Sequence, residues 1–343
     1  MIAWLKTQTE YPKFIWESEG EGIAGSGAAE IFHEIPEGGA FYFGYAAFEN
    51  LGRDQIWKEF PETFFFQPRV LMRGKIAANL PTPRLNLEPR EMVPTPERWT
   101  ASCNQALAHI TSKAFQKGVL ARRASFNTQH AIDPYEILGQ LKGKIRFLLQ
   151  LSPELTFLGA TPERLYRREG RTITVDAVAG TCTKESRMNL KERREFDFVK
   201  EFISETLAEL AKHLKWNGED RILEAGELLH LHNRCVATLK SAVTDRELIK
   251  HLHPTPAIGG LPKEAAREFL ERSELFERGL YAAPIGWISK ESADFAIGIR
   301  SALISKNQMH LFSGAGIVEG SNPEHEWAEL NHKISQYMRF IYE

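Results

Sequence analysis

Ten stretches of this chain are apolar and β-prone, and no regular succession of helices separates them. They read AFYFGYAAFEN at 40–50, FFFQPRVLM at 64–72, GVLARRASFNT at 118–128, RFLLQLSP at 146–153 and LTFLGAT at 155–161. RTITVDAVAGT at 171–181, ELLHLHNRCVATL at 227–239, YAAPIGWIS at 281–289, DFAIGIRSALIS at 294–305 and MHLFSGAGIV at 309–318 complete the set. Aromatic and β-branched runs of this length are strand signals. Helical spacing is confined to 99–117, a segment opened by Asp133-Pro134, 188–214, 262–279 and a last helix starting near Ser321–Pro323. A doubly wound fold would need a strand–helix–strand beat, which is missing. The expectation is an α+β fold with a large, mainly antiparallel sheet core and helices outside.

Five prolines between Pro81 and Pro96 interrupt the pattern. Proline fixes φ and lacks an amide donor, so this stretch is neither helix interior nor central strand. We read residues 1–98 as a short N-terminal strand-rich part of the same fold and 99–343 as its catalytic core. The length of 343 residues and an apolar content of 43% allow a sizeable core. Forty-three Lys and Arg balance 45 Asp and Glu, leaving −2, so the chain is no general binder of polyanions and no nucleic-acid partner is expected. Cys103, Cys182 and Cys235 are too few and too scattered for a disulfide scaffold. With no secretory signal and no apolar run near 18 residues, the expected setting is cytoplasmic, away from any membrane.

The 188–214 helix has a stripe of Val199, Phe202, Ile203, Thr206, Leu210 and Leu214, apolar but for the threonine. Continued backwards at steps of three and four, the stripe reaches Glu195 and Glu192. The last helix repeats the theme, with Glu326, Glu329 and Lys333 on one face beside Leu330, Ile334, Met338 and Ile341. Acids also favour helix N-termini for electrostatic reasons, so spacing leaves a solvated first turn open. Taken together, four carboxylates with no matching His/Cys cluster suit a hard cation such as Mg²⁺. Ser321-Asn322-Pro323-Glu324 has the form of a capping box. Gly314-Ala315-Gly316 ahead of it reads as a glycine turn whose amides hold an anion, or simply as a tight connection. His230 and His232 lack the second ligand pair a zinc site needs, so a histidine bonding to substrate is the better reading. Cys182 has no partner base in the sequence.

Several segments, in order, resemble the chorismate-utilising enzymes, the isochorismate, salicylate, anthranilate and aminodeoxychorismate synthases. They are KGVLARR at 117–123, FLGATPERL at 157–165, DAVAGT at 176–181, LHPTPAIGGLPKEAA at 252–266, RSALI at 300–304 and SGAGIVEGSNPEHEWAELNHK at 313–333. The resemblance runs from about residue 99 to the end and is nearest to isochorismate synthases of the menaquinone type. It implies the anthranilate synthase component I-like fold, an Mg²⁺-dependent site and chorismate as small-molecule substrate. It also implies roles. Lys117 corresponds to the base that activates water and Glu163 to the general acid. Glu195 and Glu326 correspond to direct metal ligands, with Glu192 and Glu329 beside them. Arg300, Lys333, Gly314 and Gly316 fall at carboxylate-binding positions, His230 near the substrate ring, and Ala257 and Tyr281 at further substrate-facing positions.

Departures from the family pattern narrow the expectation. Amine-transferring members commonly carry glutamine where Lys117 stands and a Pro-Ile-Ala/Lys-Gly-Thr motif where this chain has Ala177-Val178-Ala179-Gly180-Thr181. Water is therefore expected as nucleophile, without an amidotransferase subunit. Salicylate synthases tend to have threonine at the position of Ala257, which favours isochorismate as final product. The alternatives weighed are a salicylate synthase and a non-catalytic chorismate-binding subunit.

Overall fold

The computed structural model describes all residues except 50, 53, 77–81, 84, 184–189, 226–227 and 343. Its strands are β1 (Lys13–Ser18), β2 (Glu21–Phe32), β3 (Tyr42–Ala46), β4 (Thr63–Gly74), β5 (Leu87–Val93), β6 (Lys117–Thr128), β7 (Ile145–Ser152), β8 (Leu155–Thr161) and β9 (Arg164–Glu169). They continue as β10 (Thr172–Thr183), β11 (Ala211–Trp216), β12 (Arg221–Ala225), β13 (Leu228–Leu239), β14 (Gly260–Leu261), β15 (Pro284–Ile288), β16 (Ser292–Ile297), β17 (Ser301–Ser305) and β18 (Gln308–Ile317). The helices are α1 (Ile2–Thr7), α2 (Pro96–Thr111), α3 (Pro134–Gln140), α4 (Leu190–Leu210), α5 (Asp245–Leu252), α6 (Lys263–Ser273) and α7 (Pro323–Tyr342).

Every strand pairing is antiparallel, and the pairings form one spatial order. It runs β5-β6-β18-β17-β8-β7-β1-β2-β4-β3-β15-β16-β9-β10-β13. Strand β14 shares the β5 edge of β6, and β11 and β12 close the far end on β13. The order doubles back, because one apolar core joins both halves. Phe14, Phe147, Phe157 and Phe312 from one half pack with Tyr166, Ile173, Leu231 and Phe295 from the other. Phe14 and Phe43 stack at 4.3 Å between centroids. Aromatic residues bury large apolar areas, so a core this rich in them supplies much of the driving force. Helix α4 packs on β10 and β13 at one end of the order, and α7 packs on β18 near the other.

The N-terminal strands are part of this sheet; β1 lies between β2 and β7. The proline-rich stretch contributes β5, an edge strand whose ladder slips between Pro89 and Glu91. That is where a strand tolerates proline. Three expectations are corrected. The helix placed at 188–214 ends at Leu210, and 211–216 turns into β11 alongside β13; residues 188–189 lie outside the described ones. The run 294–305 is two strands, broken where Arg300 adopts a left-handed φ of 51°. The cap of α7 is Asn322, whose Oδ1 accepts from the amides of Glu324 and His325, while Ser321 Oγ accepts from the Val318 amide. Asp133 caps α3 as expected, accepting from Tyr135 N at 2.9 Å. Among the described residues no helix is long and apolar enough to cross a membrane.

Candidate active site

The two ends of the sheet order meet at one cavity. Glu163, Glu195, His230, Ala257, Tyr281, Arg300, Gly314, Gly316 and Lys333 all line it, with Val119, Ile258 and Phe312 as apolar wall. These residues come from nine separate stretches of sequence, and only the doubled sheet brings them together.

Lys117, the first residue of β6, is fully buried. Its Nζ donates to Glu195 Oε1 at 2.7 Å. A lysine in an apolar interior needs such a partner, because an isolated buried charge is strongly disfavoured. Glu195 reaches it because α4 descends onto β10 at Gly180. There the ladder with β13 slips, and Gly180 takes a φ of 65°. A Cβ at Gly180 would stand 2.4 Å from the Glu192 carbonyl oxygen. The glycine of the 176–181 segment thus serves both a left-handed bulge and a close approach of helix to strand.

Glu163 follows β8 and is 7% exposed. Burial pushes its carboxyl up to about 7, against the opposing pull of Lys117, a hydrogen bond from Thr255 and Lys333. A carboxyl with this value can hold a proton near neutral pH and release it, which a general acid must do. Burial, reinforced by the charges of Arg300 and Lys333, pulls His230 down to about 3, so it faces the cavity as a neutral imidazole. Burial draws Arg300 down to about 10, which leaves it charged at neutral pH. The backbone of Arg300 is held in its left-handed conformation by two hydrogen bonds to its carbonyl, from Ala160 N at 3.2 Å and Tyr337 Oη at 2.8 Å. For a residue with a Cβ that conformation costs on the order of 1–2 kcal/mol. The neighbouring wall repeats the device. Ala282 has a φ of 64°, and its carbonyl accepts from His253 Nε2 at 2.9 Å. Two non-glycine residues in this region at one cavity are a mark of a site held against its local preference.

Lys333 Nζ donates to the Gly314 carbonyl at 2.7 Å and pairs with Glu329 at 2.6 Å. Gly314 and Gly316 lie inside β18, not in the turn before α7 where the sequence had suggested them. Their function is clearance. A Cβ on Gly314 would be 2.7 Å from Tyr281 Oη, and one on Gly316 would be 2.6 Å from Glu195 Oε1 and 2.9 Å from Lys117 Cε. Gly316→Ala is therefore expected to prise the Lys117–Glu195 pair apart and lower kcat/KM at least tenfold. Steady-state kinetics beside a thermal melt checks this; unchanged kinetics would mean the pair yields without cost.

The four predicted acidic ligands are placed differently. Glu195 lines the cavity and Glu329 joins it through Lys333. Glu192 and Glu326 are buried on the same two helices, one turn nearer the N-termini, and do not line it. Glu326 lies close enough to Cys103 to add to the effect of burial, which pushes that thiol up to about 12. Among the described residues no three His, Cys, Asp or Glu side chains form a cluster. A cation here would draw most of its ligands from water and an anionic substrate, which is the habit of Mg²⁺ with one or two carboxylates. The four carboxylates offer hard oxygen ligands, which fit that ion in kind.

Sequence reasoning missed two residues at this site. Thr255 Oγ1 donates to Glu163 at 3.4 Å and accepts from Ala257 N at 3.2 Å, tying the acid to the 254–259 loop. His253 is the second. It stands just past the end of α5 and orients Ala282 next to Tyr281. All three cysteines are buried and none is in a disulfide. Histidine 232 is taken up by Asp176, 3.2 Å away.

Residues 74–342 match the family described as chorismate binding enzyme. The chain is 30% identical to the isochorismate synthase MenF of Haemophilus influenzae, over 98% of this chain and 87% of that protein. It is 35% identical to a chloroplastic isochorismate synthase of Catharanthus roseus over 73% of its own length, but it spans only 46% of that plant protein. Among solved structures, the menaquinone-specific isochorismate synthase of Escherichia coli superposes with a TM-score of 0.86 at 26% identity, covering 99% of this chain and 91% of that one. Anthranilate synthase component I of Streptococcus pneumoniae shares the fold, with a TM-score of 0.74 at 17% identity over 95% and 90% of the chains.

Proposed function

The chain belongs to the chorismate-binding enzymes, and on that premise we propose that it is an isochorismate synthase. In the reaction proposed, water adds at C2 of chorismate, the double bonds shift, and the C4 hydroxyl leaves as water. One water enters and one departs, so the change is an isomerisation.

The observation that carries the proposal is a cavity lined by Glu163, Arg300, Lys333 and Glu195, the last of which accepts a hydrogen bond from the buried Lys117. Lys117, in its neutral amine form, takes the proton from the attacking water. Glu163, protonated below about pH 7 because it is buried, gives its proton to the departing hydroxyl. Arg300 and Lys333 grip the carboxylates of the substrate; a guanidinium does so through two parallel hydrogen bonds. His230, neutral, bonds to the ring substituents without adding charge. Glu195 and Glu326, with Glu192 and Glu329 beside them, would hold Mg²⁺, which supplies positive charge to a substrate carboxylate. The menaquinone specificity of the similar Escherichia coli enzyme supports a place at the head of that pathway. Ala257, where salicylate synthases tend to carry threonine, favours isochorismate over salicylate and pyruvate as the final product.

The test is incubation of the purified protein with chorismate, in Mg²⁺ and in EDTA, with chromatographic separation of products. Isochorismate is expected with Mg²⁺, falling below detection in EDTA and returning when metal is restored. Salicylate with pyruvate would move the reading to the synthase–lyase branch. Chorismate bound and unchanged would leave a binding subunit.

A further inference from the structure

Arg122 lies on β6, five residues after Lys117, and is 1% exposed. Its surroundings do not satisfy it. Nη1 donates to Asn331 Oδ1 at 2.8 Å, and the guanidinium lies 4.5 Å from the centroid of the Trp327 ring. Its Nε and Nη2 have no hydrogen-bond partner. The residue paired across the ladder is Ser313, whose buried Oγ is likewise without one and which lines the cavity. A buried cation with donors to spare is costly, and a leucine or methionine would fill the space more cheaply. Such a residue calls for a role other than packing.

Its two contacts supply one. Trp327 and Asn331 are one turn apart on α7 and flank the buried Leu330, Ile334 and Tyr337 on one side. Lys333 flanks the same buried face on the other side and is tied to Gly314, the residue next to Ser313 on β18. The helix is therefore clamped from both flanks, by Arg122 and by Lys333, onto the same two strands. We propose that Arg122 is a positioning residue, which fixes the rotation of α7 on β6 and β18 and so places the Lys333 ammonium at the cavity. The inference rests on the substrate-binding role given above to Lys333. Loss of Arg122 would let α7 roll about its buried face, carrying Lys333 off its place at Gly314.

The experiment is a double-mutant cycle on chorismate consumption. Arg122→Met and Lys333→Ala are made singly and together, with thermal melts of each. If Arg122 acts through Lys333, Arg122→Met raises KM about tenfold with kcat within about twofold, since a binding contact is lost. The double variant then stays within about threefold of Lys333→Ala in kcat/KM, because the two losses are one. Multiplying losses, or a lowered melting temperature with KM unchanged, would reduce Arg122 to a structural residue. Asn331→Ala guards against a misfolded Arg122→Met. Asn331 is at the surface, and its removal takes away only the hydrogen bond. It is expected to raise KM about threefold and to lose that effect in the Lys333→Ala background; an unchanged KM would overturn the proposal. The cycle reads disappearance of chorismate, whereas the identity of the product is read separately, so a product other than isochorismate would refute the proposed function and leave the cycle intact.

Discussion

Replacing Lys117 by glutamine is expected to reduce kcat by a factor of about 10³ while the fold survives. A positioned general base typically contributes between 10² and 10⁴, and among the described residues no other fully buried amine stands at this strand end. Glutamine suits the test better than alanine. Lys117 is fully buried and paired with Glu195 at 2.7 Å, so alanine would strand a carboxylate in the interior. Removing one partner of a buried pair costs about 3–5 kcal/mol. The glutamine amide can still donate to Glu195 but cannot take a proton from water. Circular dichroism and a melting curve establish the fold, and chorismate consumption gives the rate. A rate near that of the unchanged protein would exclude Lys117 from the chemistry.

Glu163→Gln is expected to have two opposite effects. Turnover should fall by about 10²–10⁴, because the amide has no proton to give. Stability at alkaline pH should rise. The Glu163 carboxyl titrates near 7 in the folded chain against an ordinary value of 4.5, so the folded state binds its proton more tightly than the unfolded one. The stability this confers is complete below pH 4.5 and is lost as pH rises through 7. The loss amounts to about 3 kcal/mol. Glutamine cannot ionise, so the variant escapes the loss and should melt a few degrees higher at pH 8 but not at pH 4.5. In the unchanged protein, kcat should decline above about pH 7 as the acid ionises. A variant that melts no higher at pH 8 would mean that Glu163 is better solvated than its burial indicates.

The two carboxylate-bearing helices show how far periodicity reaches. Glu192 and Glu195 continue the stripe of Val199 and Ile203, and Glu326 and Glu329 adjoin that of Leu330 and Ile334; helical geometry alone puts each pair on one face of its helix, in line with or beside the apolar stripe, and leaves its burial open. Periodicity does not say what those faces meet. Glu195 meets Lys117, Glu329 meets Lys333, and Glu326 packs toward Cys103. Lys117 carried no local signal at all. It became a candidate through the ordered motifs shared with the chorismate-utilising enzymes. The glycines at 314 and 316 were legible as important but misread as a turn, since clearance for Tyr281, Glu195 and Lys117 depends on chain more than 30 residues away. Residues 211–214 read as helix because their apolar spacing continues that of α4; pairing with β13 overrides local propensity there.

What the sequence determined by itself is whatever depends on neighbours along the chain. The absence of a strand–helix beat gave an antiparallel sheet, proline confined β5 to an edge, and Asp133 set the start of α3. The spacing of the acids put each pair on one face of its helix. What only the tertiary structure decided is which of these elements touch. The sheet order doubles back so that β6 and β18 at one end face β10, β13 and α4 at the other. Register between strands distant in sequence is set by the packing of a shared core, a collective property that no single stretch encodes. Burial of Glu163, the pairing of Lys117 with Glu195 and the clamp on α7 follow from that closure.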